Sequence, residues 1–445
     1  MKILFISLGC DKNLVDSEEM ITMLQKAGHT LVDEEEEAEG IIINTCCFIG
    51  DAKEESVNTI LEMARLKKDG RLRALIVTGC LAQRYRREIV DEIPEVDAIL
   101  GTSSGKDILK ALEEAEMQNR FQSFEELSSM PVTTPDRVIT TGGHYGYLKI
   151  AEGCDKRCTY CIIPYVRGPY RSVPMEELVR QAGQMARNGV RELILVAQET
   201  TVYGCDLYGR KALPELLRKL CGIRGIRWIR ILYCYPEEIT DELIQTIKEE
   251  KKICHYLDLP IQHASDRILK RMGRRTTRAQ LEKTIEKLRR EIPDIVLRTT
   301  LISGFPGETQ EDFEELYNFA DEMEFDRLGV FPYSAEEGTP AAQMPDQVPE
   351  DIKKSRRDEL MELAQEISLE KGQRRTGQTL TVMIEGRVSG EAAYAGRTYA
   401  DAPGVDGYVF VQTGEALATG DFAKVRITGS MEYDLIGELE DESAE

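Results

Sequence analysis

Residues 146–161, GYLKIAEGCDKRCTYC, place three cysteines directly after a predicted β-strand. The cysteines are Cys154, Cys158 and Cys161, with the spacing C-x3-C-x2-C. Three thiolates within one short loop can converge on a single iron–sulfur cluster. A four-iron cluster bound by only three cysteines leaves one iron open to a small molecule. This loop therefore predicts a site of chemistry at the end of a strand.

A structural zinc site is the alternative interpretation of these three cysteines, with His144 as the fourth ligand. Structural zinc sites are normally closed by four ligands, and His144 lies before the strand instead of in the loop. The spacing favours an open iron that an amino group and a carboxylate can chelate. S-adenosylmethionine offers both groups.

The loop opens a segment, residues 140–372, in which short apolar runs alternate with amphipathic helical stretches. The predicted strands are 146–153, 191–200, 226–236, 256–263, 294–308 and 326–334. Six strand–helix units fit either a doubly wound sheet or an incomplete (β/α) barrel. In both folds, ligands bind at the C-terminal ends of the strands, which is where the cysteine loop lies.

The first segment, residues 1–115, has the same strand–helix alternation and predicts a parallel α/β domain. Its predicted strands are 2–10, 40–46, 74–80 and 97–101. Residues 116–139 lose the pattern and are interpreted as a linker. Residues 373–445 are rich in glycine and in alternating apolar runs, which predicts a small antiparallel β-barrel of OB-like size.

A second set of cysteines is spread over the first segment. Cys10, Cys46 and Cys80 each stand at the end of a predicted parallel strand, and such ends share one edge of a sheet. They predict a second cluster with one open iron, although three small buried cysteines would also fit the core of a domain. Cys47 adjoins Cys46, and because side chains alternate along a strand only one of the two is expected to face the site.

These two triads, in this order, resemble the methylthiotransferases of the radical S-adenosylmethionine superfamily. The matching stretches are SLGCDKNLVDSE at 7–18, INTC at 43–46, TGC at 78–80 and the C-x3-C-x2-C loop. The resemblance implies two 4Fe-4S clusters, S-adenosylmethionine and a central partial (β/α)6 radical SAM barrel. It also implies a C-terminal TRAM β-barrel, which contains GRTYADAPGVDGYVFV at 396–411. The fold class is therefore α/β multidomain.

Weaker signals, some from this resemblance and some from positions at strand ends, point to further residues. Tyr160 is expected against the adenine of the cofactor, or simply packed in the loop. Glu199 is a candidate for the cofactor's ribose or amino group, with a capping or solvated role as the alternative, and GFPGE at 304–308 resembles a cofactor-lining loop. His263 is given no role. The remaining cysteines are interpreted as packing residues: Cys205, Cys221, Cys234 and Cys254.

Within the family, GCDKNLVDSE at 9–18 and DAPGVDG at 401–407 resemble the branch that modifies the twelfth protein of the small ribosomal subunit. The transfer-RNA branch has Gln-Met-Asn after the first cysteine, where this chain has Asp11-Lys12-Asn13. The implied substrate is the β-carbon of an aspartate. Charge agrees, because the chain carries a formal net charge of −22 and its part from Arg375 onward has five basic and 13 acidic residues. Such a barrel suits a basic ribosomal protein and disfavours RNA, unless the acidity serves solubility alone.

We therefore hypothesise that the protein uses radical chemistry. An unactivated C–H bond has no useful acidity, so side-chain acid–base catalysis could not open it. An electron from the Cys154/Cys158/Cys161 cluster, supplied by an external reductant, would cleave S-adenosylmethionine to a 5′-deoxyadenosyl radical, and the second cluster would hold the sulfur. The rivals are a transfer-RNA adenosine methylthiotransferase and a two-cluster electron-transfer protein without turnover. The sequence predicts no membrane segment and a cytoplasmic protein, where thiols stay reduced.

Overall fold

The computed structural model describes residues 1–130, 133–134 and 136–440. Parts of the predicted linker (116–139) and of the predicted terminal barrel (373–445) therefore lie outside the described residues. Within the described ranges, no helix has both the length and the hydrophobicity that crossing a bilayer requires.

The N-terminal region is a six-stranded parallel sheet with helices on both faces. The strands are β1 (Lys2–Ser7), β2 (Thr30–Val32), β3 (Gly40–Thr45), β4 (Ala74–Gly79), β5 (Ala98–Leu100) and β6 (Phe121–Ser123). The helices are α1 (Asp11–Lys26), α2 (Gly50–Lys68), α3 (Cys80–Arg84), α4 (Arg86–Glu92) and α5 (Ile108–Glu116). The strand order β2-β1-β3-β4-β5-β6 reverses at β1, and that reversal opens a crevice between the C-terminal ends of β1 and β3. The four predicted strands are present.

The central region contains eight strands and nine helices. The strands are β7 (Tyr145–Lys149), β8 (Ala151–Glu152), β9 (Arg171–Ser172), β10 (Glu192–Val196), β11 (Trp228–Ile231), β12 (Ile253–Asp258), β13 (Val296–Ser303) and β14 (Arg327–Pro332). The helices are α6 (Ile163–Arg167), α7 (Met175–Arg187), α8 (Cys205–Tyr208), α9 (Leu213–Cys221), α10 (Asp241–Glu249), α11 (Asp266–Arg271), α12 (Arg278–Glu291), α13 (Gln310–Met323) and α14 (Glu350–Gln373).

Six of these strands pair in parallel in the order β7-β10-β11-β12-β13-β14, while β8 and β9 form a separate small pair. The order follows the chain without a reversal, as in a (β/α) barrel. The prediction of a partial (β/α)6 barrel is confirmed, and the doubly wound alternative is wrong for this region.

The C-terminal region is a closed five-stranded barrel. Its strands are β15 (Thr379–Arg387), β16 (Ala393–Arg397), β17 (Val409–Gln412), β18 (Phe422–Ser430) and β19 (Leu435–Leu439). They close in the order β15-β16-β17-β19-β18, and every pair is antiparallel except β17–β19. The predicted small barrel is confirmed. The prediction that all its strands pair antiparallel is wrong for β17 and β19, which are parallel.

The loop between β16 and β17, which contains DAPGVDG, leaves the terminal barrel and enters the central one. Ala400 and Ala402 are fully buried against residues of the central strands, including Val196 and Tyr256. The Tyr256 hydroxyl donates a hydrogen bond to Asp406 at 2.7 Å. The loop therefore fills the interior of the partial barrel below the ends of its strands.

A buried cluster of charges joins the two barrels beside this loop. Glu192, at the start of β10, lies 2.7 Å from Arg230 and 2.8 Å from Arg397, and all three side chains are fully buried. Arg397 also pairs with Glu385 at 2.6 Å. A buried carboxylate requires such partners, because an unpaired charge in the interior is strongly unfavourable.

Arg397→Ala is expected to lower the free energy of unfolding by about 3–5 kcal/mol, because it removes the buried cation that pairs with both Glu192 and Glu385 and leaves Glu192 with Arg230 alone. Urea unfolding followed by circular dichroism measures the change. Arg426→Ala is the matched control in the same barrel, since Arg426 and its partner Glu438 are more than half exposed. Its effect is expected below about 1 kcal/mol. Equal losses in both variants would contradict a special role for the buried cluster.

Candidate active site

The cysteine loop follows β8 and is folded back on itself. Cys154 and Cys158 are buried, Cys161 is half-buried, and the Cys161 N–H donates to the Cys158 carbonyl at 3.0 Å. Burial raises the pKa of Cys154 to about 12, and the neighbouring Cys158 thiol contributes to the rise. Burial, Cys158 and Cys154 also raise the pKa of Cys161. The thiols of Cys154 and Cys161 thus both lie close to Cys158.

The structure does not support His144 as a fourth ligand beside the cysteine loop. His144 Nε2 lies 2.8 Å from Glu385 Oε2 of the terminal barrel, so the imidazole belongs to another part of the molecule. Among the residues that the structure describes, no three His, Cys, Asp or Glu side chains are arranged around a single ion. A four-iron cluster differs from such a site, because each thiolate bonds a separate iron. All three thiols of the loop are free.

The second triad stands at the ends of three neighbouring strands. Cys10 follows β1 and precedes α1, Cys46 follows β3, and Cys80 begins α3 after β4. Gly9 adopts φ 90°, and a Cβ there would lie 2.6 Å from the Cys46 Cβ. A larger residue would therefore separate the chain before Cys10 from Cys46. Burial raises the pKa of Cys80, and the nearby thiols of the triad contribute to that rise.

Cys46 and Cys47 face different surroundings, as strand alternation predicts. Cys46 lies against Gly9 on the crevice side. Cys47 is fully buried in an apolar cluster, and its burial raises its pKa to about 11. Its carbonyl accepts a hydrogen bond from Arg84 at 3.3 Å. The position of Cys46 agrees with a role as ligand, which stays a prediction.

One short segment of the central region, after β11, approaches both triads. The Tyr235 hydroxyl lies 3.7 Å from Cys158 Sγ, and the Tyr233 hydroxyl donates to Asp11, next to Cys10, at 3.2 Å. Residues two apart span at most about 7 Å of backbone, so one short segment after β11 contacts both sites.

Arg167, at the end of α6, makes a second connection between the triads. Its Nε lies 3.3 Å from Cys80 Sγ, although Arg167 follows the first-triad loop in the chain. It also donates to Asn13 and Asp16 of the N-terminal region. The guanidinium places a positive charge beside a thiol that must ionise to bind metal.

Glu199 follows β10 and is 1% exposed. Burial raises its pKa to about 7, although a hydrogen bond from Thr201 and the charge of Lys156 oppose the rise. Its Oε1 accepts from Thr201, whereas its buried Oε2 has no hydrogen-bond partner among the described residues and only a long ion pair with Lys156 at 3.7 Å. A buried acceptor without a partner is unfavourable, so this oxygen is suited to a ligand with an ammonium or hydroxyl group.

Arg274 lies on the other side of the cysteine loop. The Thr159 N–H donates to the Met272 carbonyl at 2.9 Å, which keeps Arg274 next to the loop, and its guanidinium stacks on the Tyr235 ring at 4.2 Å. Its buried Nε and Nη1 have no acceptor in the described part of the chain. These two donors and the Glu199 oxygen that lacks a hydrogen bond match the carboxylate and ammonium of an amino acid, so the site fits S-adenosylmethionine.

Tyr160 and the 304–308 loop form an aromatic wall of this site. The Tyr160 ring meets the Phe305 ring edge-on at 6.5 Å, and Phe305 meets Tyr333 at 5.4 Å. The Glu308 carboxylate accepts from the N–H of Gly304 at 2.9 Å, which fixes the loop. The structure therefore gives Tyr160 a packing contact, and its place against adenine stays a prediction.

His263 and the remaining cysteines carry no sign of chemistry. His263 is fully buried, and its Nδ1 accepts from the Ser265 N–H at 3.0 Å. Cys234 and Cys254 are buried and Cys221 is half-buried, as packing residues would be. Cys205 is exposed, so its interpretation as a packing residue is wrong.

Several site residues were missed by the sequence analysis: Lys12, Asn13, Arg167, Tyr233, Tyr235 and Arg274. Lys12 and Asn13 stand inside the stretch that matches the family, which was a usable signal. The Asn13 amide donates to the carbonyls of Leu8 and Thr45, both at 2.9 Å, and so ties the ends of β1 and β3 together. Arg167 lies six residues after Cys161, but nothing in the sequence pointed to its contact with Cys80. Tyr233, Tyr235 and Arg274 are far from the cysteines in the chain and carried no signal.

Three family models match the chain. They are the Radical SAM superfamily at residues 148–320, the Uncharacterized protein family UPF0004 at residues 2–101 and the TRAM domain at residues 376–439.

Two solved structures share the fold at low sequence identity. The radical S-adenosylmethionine methyltransferase TsrM from Kitasatospora setae has a TM-score of 0.54 at 14% identity, over 74% of this chain and 72% of that chain. The radical enzyme OxsB has a TM-score of 0.52 at 13% identity, over 82% of this chain and 56% of that one.

Curated relatives match over nearly the whole chain. The ribosomal protein uS12 methylthiotransferase RimO of Lachnoclostridium phytofermentans is 60% identical, covering 99% of this chain and 100% of its own. The proteins of the same name from Pelotomaculum thermopropionicum and Clostridioides difficile are 52% and 49% identical, and each covers at least 98% of this chain.

Proposed function

The chain belongs to the ribosomal protein uS12 methylthiotransferase (RimO) family, and from this premise we propose that it transfers a methylthio group to the β-carbon of an aspartate in uS12. The observation that carries the proposal is the short segment that contacts both sites, with the Tyr233 hydroxyl on Asp11 next to Cys10 and the Tyr235 hydroxyl near Cys158 Sγ. A site that generates a radical and a site that donates sulfur must both reach the same substrate carbon.

Two 4Fe-4S clusters and S-adenosylmethionine are the cofactors of this reaction. We assign the first cluster to the segment 140–372 and to the thiolates of Cys154, Cys158 and Cys161. We assign the second to the segment 1–115 and to Cys10, Cys46 and Cys80. When bound, these groups supply radical cleavage of a C–H bond that lacks useful acidity, together with the sulfur to be transferred.

The side chains of the chain orient these groups and exclude water. Glu199 would accept from the ammonium of S-adenosylmethionine or from its ribose, and Arg274 would donate to its carboxylate. Tyr160 would lie along the adenine. Arg167 keeps a positive charge beside Cys80, which favours the thiolate form of a ligand. No side chain is required as a general acid or base.

The charge of the protein supports a basic protein substrate. Five basic and 13 acidic residues from Arg375 onward give the TRAM region a formal net charge of −8. A barrel that grips RNA requires a basic face, so we propose that this one does not bind RNA. We place the enzyme in the cytoplasm with an external reductant, since its ligand thiols must remain reduced.

The test is anaerobic incubation of the reconstituted enzyme with reductant and S-adenosylmethionine, with either uS12 or transfer RNA as substrate. We expect 5′-deoxyadenosine and a methylthio group on one aspartate of uS12, located by tandem mass spectrometry. Methylthio-adenosine in transfer RNA would favour the first rival. Complete absence of 5′-deoxyadenosine would favour an electron carrier.

A further inference from the structure

Lys12 lies where the two cysteine sites meet. It stands two residues after Cys10 in the first turn of α1, and its side chain is buried. Its ammonium lies 3.2 Å from the centre of the Tyr233 ring, which belongs to the segment after β11. A cation from the first helix of the N-terminal region is thus held against the central barrel, beside the second triad.

Tyr233, whose ring contacts the Lys12 ammonium, is held in place by several contacts. Tyr233 adopts φ 59°, a left-handed conformation that is unusual for a bulky residue. Its N–H donates to Asp258 at 3.0 Å, and its carbonyl accepts from the Thr200 N–H at 3.0 Å. Strained residues persist where the surroundings over-determine them, and they cluster at ligand sites. The ring position is therefore built into the fold.

Lys12 has fewer acidic partners than several other cations of the two regions that carry the triads. Four of those cations each lie within salt-bridge distance of two carboxylates: Lys149, Lys156, Arg167 and Arg298. In the described part of the chain Lys12 has one such carboxylate, Asp11 at 3.0 Å, and Asp11 also accepts from the Tyr233 hydroxyl. An ammonium carries three donors, so Lys12 keeps capacity for a second carboxylate.

The reacting carbon of an aspartate side chain bears its carboxylate on the next carbon. A substrate aspartate with its β-carbon between the two triads would therefore present its carboxylate beside the second triad. We infer that Lys12 binds this carboxylate and so selects an acidic side chain for methylthio transfer. The inference deepens the proposed function and rests on it. A nucleobase has no carboxylate to offer, so this contact would not recognise one.

Binding of fluorescently labelled uS12 to the cluster-loaded enzyme without reductant tests this role independently of turnover. Two substrates are compared: native uS12, and uS12 with asparagine in place of the aspartate that the wild-type enzyme modifies. Lys12→Met is expected to weaken binding of native uS12 by about 10–100-fold, the range for a hydrogen-bonded ion pair. Binding of the asparagine form is expected to change by less than about 2-fold, because its amide takes no ion pair.

Lys26→Met is the matched control, since Lys26 ends the same helix, is exposed and pairs with Asp136 at 2.8 Å. It is expected to bind both substrates as the wild type does. If Lys12→Met does not retain its iron, Lys12→Gln replaces it in the same comparison, because its amide can still donate to Asp11. Unchanged binding of native uS12, or equal losses on both substrates, would overturn the inference. Absence of any methylthio product from wild-type enzyme would instead refute the proposed function.

Discussion

Cys158→Ala is expected to reduce formation of both 5′-deoxyadenosine and methylthio-uS12 by more than about 100-fold. Changes in the outer shell of a metal site already lower activity by about 10–100-fold, and loss of a direct ligand removes one of three bonds to the cluster. The substitution also removes the Sγ that Tyr235 approaches at 3.7 Å. High-performance liquid chromatography of anaerobic reactions with dithionite measures 5′-deoxyadenosine, and iron analysis measures cluster content.

Cys205→Ala is the control for this experiment, because Cys205 is an exposed thiol of the same region outside both triads. It is expected to keep wild-type iron content and product formation. Retention of 5′-deoxyadenosine formation in Cys158→Ala would remove the loop from the radical chemistry. Equal losses in Cys205→Ala would point to general sensitivity of the region to loss of a thiol.

The central barrel was predictable because its strands are short apolar runs separated by amphipathic helices. Burial on both faces imposes that pattern on a parallel strand, as in β10, where all five residues are buried. β2 and β6 have three residues each at the edges of their sheet and carry too little pattern to detect. The parallel pairing of β17 with β19 depends on how the barrel closes, which local pattern does not encode.

The cysteines of the site were predictable for a related reason. Topology alone brings the ends of parallel strands together, so the common location of Cys10, Cys46 and Cys80 could be predicted without knowledge of the tertiary structure. The contact of Arg167 with Cys80 could not, because the two residues are 87 positions apart in the chain. The contact of Tyr256 with Asp406 joins residues 150 positions apart. Such contacts arise from the packing of one domain on another. The family resemblance drew attention to DAPGVDG, but the sequence did not predict that this loop enters the central barrel.

Cys46→Ala and Cys47→Ala are expected to differ sharply although the residues are adjacent. Cys46 lies against Gly9 at the crevice, whereas Cys47 packs in the apolar cluster beside Arg84. Cys46→Ala is expected to lose about half of the bound iron, since one of two four-iron clusters loses a ligand. It should still release 5′-deoxyadenosine but form no methylthio-uS12. Cys47→Ala removes one buried sulfur and should keep both iron and product.

This pair separates generation of the radical from delivery of sulfur. Iron analysis and mass spectrometry of uS12 are read on the same preparations, with 5′-deoxyadenosine as the measure of the first cluster. Loss of iron in Cys47→Ala with retention in Cys46→Ala would exchange the two assignments. Full product in both variants would mean that neither thiol holds the second cluster. Loss of 5′-deoxyadenosine in Cys46→Ala would show that the first site depends on the second. Arg167 and Tyr233 connect the two sites, so this result would be the most informative one.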